Sequence, residues 1–193
     1  MKQNIINRFA CVRWLLPVGL SLLLLSSCEE KLPEPTTKGA NTFACKVNGK
    51  AWIPDAGGSF SGKKLSVLYS DLFKPQVNFV LFATRINKED NTSIQLALED
   101  VRTTGTQYFD FDTNPYPNEL HYKNHAMYVE YKPGKASYIT NTHYTGIVNF
   151  TRVDTVNHII AGTFAFTAEN TDGSGQVIKV TEGRFDINWL TLP

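Results

Sequence analysis

From Thr42 to the end of the chain, apolar side chains recur at every second position in short runs. TFACKV turns Phe43, Cys45 and Val47 to one face and Thr42 and Lys46 to the other. Asn48-Gly49 then supplies the two positive-φ positions of a type I′ hairpin, and KAWIP returns. KLSVLYS, QVNFVLFAT, SIQLALE, TQYFDF, AMYVEY, YTGIVNFTRV, HIIAGTFAFTA and QVIKVTEGRFDINWL continue the pattern. NKEDN, NPYPNE, KPGK, VDTVN and NTDGSG separate several of these runs, and all are dense in turn residues. No stretch carries a 3.6-residue apolar stripe long enough for a core helix, although a short helical turn fits Asn118–Asn124. Nine or ten strands at this spacing predict an all-β domain. An antiparallel β-sandwich of Greek-key or meander type is expected, and a closed β-barrel is the alternative that spacing leaves open.

The last third reads as a meander, because its three long runs are joined by short turns. In the final run Gly183 interrupts the alternation, which predicts a bulge or a close backbone approach. Beyond it Phe185, Ile187 and Trp189 share one face.

The first forty residues follow a different pattern. Lys2, Arg8 and Arg13 precede an apolar run, Trp14 to Leu25, of twelve residues. A helix that short rises about 18 Å against a hydrocarbon core of about 30 Å, so it is too short to span a bilayer. A basic start, a short apolar stretch and small residues at its end describe a secretory signal. Leu25-Ser26-Ser27-Cys28 resembles the lipobox of bacterial lipoproteins. The resemblance implies cleavage before Cys28 and fatty acylation of its thiol. Two or three acyl chains would then hold the protein on a membrane where one chain would not. Glu29 and Glu30 resemble the acidic export signal of Bacteroidetes-type surface lipoproteins; an ordinary solvated start to a linker is the other reading.

EEKLPEPTTKGA has two prolines and one large apolar residue, a composition that predicts a flexible tether. The expected organisation is thus a signal peptide over 1–27, lipidated Cys28 and tether over 28–40, and a single all-β domain over 41–193. GANTFACKVNGKAWIP, GTFAFTAEN and TEGRFDI also resemble a family of Bacteroidetes lipoproteins that has no agreed activity. The likeness covers most of the mature chain and implies an all-β fold and an outer-membrane address, periplasmic or surface-exposed. In it the closing motif looks structural, with Gly162 and Gly183 relieving crowding around Phe164, Phe166 and Phe185.

Charge narrows the partners. Loss of the three leader bases leaves sixteen bases against eighteen acids, with no basic run suited to nucleic acid. The lipid bilayer is the expected partner at Cys28, and no nucleic acid, cofactor or metal is expected. Cys45 is the one remaining thiol after Cys11 and Cys28 are assigned, so no internal disulfide can form; it reads as a small buried hydrophobe. About 150 residues can bury about 70% of the unfolded chain's surface, enough for a core without cross-links.

Candidate chemistry is sparse. His121 and His125 stand four apart in HYKNH, a zinc spacing only if that segment were helical, so solvated or capping histidines are expected. Asp110, Asp112 and Asn114, and Asn170, Asp172 and Ser174, alternate oxygens as calcium loops do; turns use the same residues routinely. Glu130, Asp110 and Asp186 are carboxylates that sequence cannot pair into a glycosidase site, and there is no GxSxG elbow. Seven of the eight tyrosines fall between Tyr108 and Tyr144. Tyrosine suits stacking on sugars or protein partners, and Tyr116, Tyr122 and Tyr138, flanked by turn residues, are the expected centre of such a surface. Asp154-Thr155-Val156 resembles an O-glycosylation site of this bacterial group, with Thr155 as acceptor. The expected function is a non-catalytic envelope lipoprotein whose β domain binds a partner protein or a glycan. A glycan-acting hydrolase and a structural subunit of an outer-membrane assembly are the alternatives.

Overall fold

The computed structural model describes residues 31–55, 62–70, 78–87, 90–112, 123–132 and 134–192. Those residues form eleven strands and no helix: β1 (Thr42–Val47), β2 (Lys50–Trp52), β3 (Leu65–Ser70), β4 (Asn78–Ile86), β5 (Asn91–Leu98), β6 (Gly105–Phe109), β7 (His125–Lys132), β8 (Ala136–Ile139), β9 (Gly146–Asp154), β10 (Ile159–Asn170) and β11 (Val177–Asn188). The main path of the single sheet is β2-β1-β11-β10-β8-β7-β5-β4-β3, all antiparallel, and β9 and β6 branch from β10. The fork lies on one edge of β10. Ile159–Phe166 pair with β9 there, and Glu169 and Asn170 pair with β8.

The two arms fold over each other into a sandwich-like core. Phe79 of β4 meets Phe150 of β9 edge-on at 5.6 Å and stacks on Phe185 of β11 at 5.7 Å, so one ring joins three strands from both arms. Trp52 of β2 donates its indole N–H to Thr92 Oγ1 of β5 at 2.9 Å, satisfying a polar group inside the core. Among the described residues the sheet does not close into a barrel. Its nearest approach to closure is a single parallel bridge between Asp55, just beyond β2, and Arg85 of β4.

Local chemistry explains the turns. Asn48 and Gly49 hold φ of 48° and 80°, as a type I′ hairpin requires. Asn48 also ties its turn to β11 by accepting from Lys179 N. At Gly183 the structure has both features that the sequence suggested. The β1–β11 register slips between Ala44 and Lys46, leaving Glu182 (φ 53°) and Gly183 opposite Cys45. A Cβ on Gly183 would lie 2.6 Å from the Phe164 ring. Phe164, Phe166 and Phe185 are buried in the core, and the consecutive antiparallel pairs β9–β10 and β10–β11 form the meander.

The segment expected to be a flexible tether is bound to the domain along much of its length. Thr36 Oγ1 and the backbone N–H groups of Lys38 (2.9 Å), Gly39 (2.7 Å) and Ala40 (3.1 Å) all donate to the Asp186 carboxylate. Arg184 donates to Pro33 O and Arg152 to Thr37 O. The cause is the pairing of a desolvated carboxylate with donors that an extended, proline-containing segment leaves free. Cys28 and the leader lie outside the described residues.

Candidate functional site

Three strands converge on a cleft of about 410 Å³ at one end of the sandwich. The end of β5 brings Glu99 and Asp100, β6 brings Thr106, Gln107 and Tyr108, and Asp110 and Phe111 follow β6 directly. Asn124, just before β7, fixes the rim by accepting from Glu99 N at 2.8 Å. Tyr108 is 55% exposed and Phe111 47% exposed, which sets two aromatic rings beside six polar side chains. Lys123 lies over the Phe111 ring at 5.2 Å, a cation–π contact. Arg102 pairs with Asp100 at 2.5 Å. Gln107 donates to Asp100 O, and its own Oε1 is buried with no hydrogen-bond partner among the described residues. A buried amide oxygen in that state costs stability unless a donor reaches it.

A larger groove, about 520 Å³, crosses the outer face of β9, β10 and β11. Its floor includes Ile147, Thr163 and Ala165, and Glu34 and Pro35 form one wall. Among its described lining residues the one cation, Arg184, is already committed to Glu182 O and Pro33 O. Size favours this groove; two half-exposed aromatic rings favour the cleft.

The residues singled out from sequence are dispersed. Tyr138, expected on a surface, is buried in β8 with its ring centroid 6.1 Å from that of Tyr128. Tyr116, Tyr122, His121 and Asn114 lie outside the described residues. Thr155 is exposed in the β9–β10 turn, where Asp154 accepts from Val156 N and Asn157 N. His125, expected to be solvated, is buried at the start of β7. Its Nδ1 donates to Lys123 O at 2.7 Å and its Nε2 faces Gln95 at 3.2 Å, and burial holds its pKa below the ordinary value. The oxygens read as calcium-loop positions are engaged locally: Asp112 accepts from Thr142 N and Oγ1, and Asp172 from Ser174 N and Asn170 Nδ2. Cys45 is fully buried, and burial raises its thiol pKa despite Arg184 and Arg85 nearby, the opposite of what a nucleophile needs.

Among the described residues, each carboxylate whose titration is displaced moves downward. Asp154 is held down by hydrogen bonds from Arg152 and Asn157, and Asp172 by Ser174. At Asp186 burial pushes upward, but donors from Thr36, Ala40, Gly39 and Lys38 outweigh it. None of these three carboxylates lines the cleft. Tyr108 and Phe111 were missed in sequence because TQYFDF reads first as a strand with turn acids, and only the end of β6 at Phe109 leaves Phe111 outside the sheet.

Comparison of the chain with protein-family models, with curated proteins and with solved structures finds no match. The likeness to Bacteroidetes lipoproteins therefore rests on the residues quoted above.

Proposed function

We propose that this chain is an outer-membrane lipoprotein, anchored at Cys28, whose β domain is a non-catalytic glycan-binding module. The cleft between β5, β6 and β7 is its site. One observation carries the reading: Tyr108 and Phe111 are about half exposed beside a cleft lined by polar side chains, with Lys123 over one face of Phe111. Aromatic faces suit the C–H faces of a pyranose, while carboxylates and amides suit its hydroxyl groups. Glu99, Asp110 and Asn124 line the wall, and their side chains would bond sugar hydroxyls.

A glycan array with the lipid-free chain tests this proposal. Retention of one glycan class is expected, weakened about fivefold by Tyr108→Ala or Phe111→Ala, since an aromatic contact contributes about 1 kcal/mol. Retention that neither substitution changes would remove the cleft from the account. Release of a shortened glycan by wild-type protein would favour the hydrolase.

A further inference from the structure

The binding of residues 33–40 to β11 determines more than a local contact. If Cys28 carries the lipid, as proposed above, only Glu29, Glu30, Lys31 and Leu32 separate the anchor from the first clamped residue. Fully extended, that span reaches about 17 Å; a tether free up to Asn41 would reach about 45 Å. Pro33 lines a small cavity with Thr42, Ile53, Pro54, Lys64 and Leu65, so the stem leaves the domain where β1 and β3 begin.

Strand register places the cleft at the opposite end. Leu65 is in line with Ala83 and Ile94, whereas Tyr69 is in line with Phe79 and Leu98, beside Glu99. In the other arm Phe109 is in line with Gly146, Phe166, Val180 and Val47, at the far end of β1 from Thr42. Within each arm, then, the stem residues and the cleft residues lie at opposite ends of the strands. The exposed charges at the stem end include Lys63 and Lys64, with Asp55 on the same rim.

We infer that the end of the sandwich carrying Thr42, Pro54, Lys64 and Leu65 is a membrane-apposed surface. It lies against the headgroups of the bilayer that holds the anchor, with Lys63 and Lys64 toward lipid phosphates. The cleft and the β10–β11 turn (171–176) face away from that bilayer. Asp186 maintains the orientation, because its carboxylate gathers four donors from residues 36–40.

The test uses the acylated protein in nanodiscs containing a spin-labelled headgroup lipid, read by amide NMR. Signals of Gly62–Leu65 should be lost and those of 171–176 retained. A long Gly-Ser segment inserted between Lys31 and Leu32 leaves the clamp and core untouched and should abolish the contrast. Asp186→Asn should reduce it by freeing the stem. Uniform broadening in wild-type protein whose Cys28 is acylated would overturn this inference and leave the lipoprotein reading standing. Absence of acyl mass on Cys28 would overturn both.

Discussion

At the scale of single residues, Asp186 is the most consequential polar group described. It is buried, and it accepts from three backbone amides and one hydroxyl. Hydrogen bonds to a charged group contribute about 2 kcal/mol each, so Asp186→Asn should lower stability at neutral pH by at least that much. Its pKa is depressed in the folded state, so its stabilisation is complete above the unfolded carboxyl value, about 3.9, and is lost as pH falls through the folded value. His125 acts earlier on the same limb. Its folded pKa lies below that of the unfolded chain, so stability declines once pH drops below about 6.5. Urea midpoints at pH 7.5 and 5.0 should differ in wild-type protein and differ less in His125→Gln. Equal differences in the two proteins would contradict the assignment. Gly183→Ala introduces a methyl 2.6 Å from the Phe164 ring, and overpacking of that kind costs about 1–3 kcal/mol. A thermal melt unchanged by this substitution would show that the bulge can give way.

At the scale of elements, the Phe79 ring and the Trp52–Thr92 hydrogen bond are among the contacts that hold the arms of the sheet together. Phe79→Ala should destabilise by about 4 kcal/mol, because the ring touches both Phe150 and Phe185 across the core. Thr92→Val keeps the shape but strands the Trp52 indole N–H, at a cost of about 1–3 kcal/mol in denaturant titration. Strands of this kind were readable in the sequence because alternation, β-branched residues and turn signals agreed. The Asn48-Gly49 hairpin, the final meander and the Gly183 interruption all follow from local chemistry. Strand β8 was not readable: ASYI is four residues between KPGK and TNTH, too short to display a period. That omission displaced Tyr138, which looks like a loop tyrosine until β7 and β10 pair on either side of it. The stem misled for the same reason. EPTTKGA looks free because its partner, Asp186, lies some 150 positions away in sequence.

At the scale of the whole molecule, one forked sheet gives the domain two unlike ends. Pro33 leaves beside the starts of β1 and β3, while Glu99, Tyr108 and Phe111 gather where β5 and β6 end. On the proposed reading, anchoring at one end and binding at the other needs no moving part. The position of the cleft was not readable from sequence, since Glu99, Tyr108 and Asn124 come together only through the β4–β5–β7 and β6–β9 pairings. The measurement that bears most directly on the glycan-binding claim is an amide chemical-shift titration of the lipid-free chain with the glycan retained on the array. Shifts should concentrate at Glu99, Gln107, Tyr108, Phe111 and Asn124 and leave the Asp186 clamp unmoved. Saturable binding whose shifts fall in the groove around Ile147 and Ala165, with the cleft silent, would contradict the account.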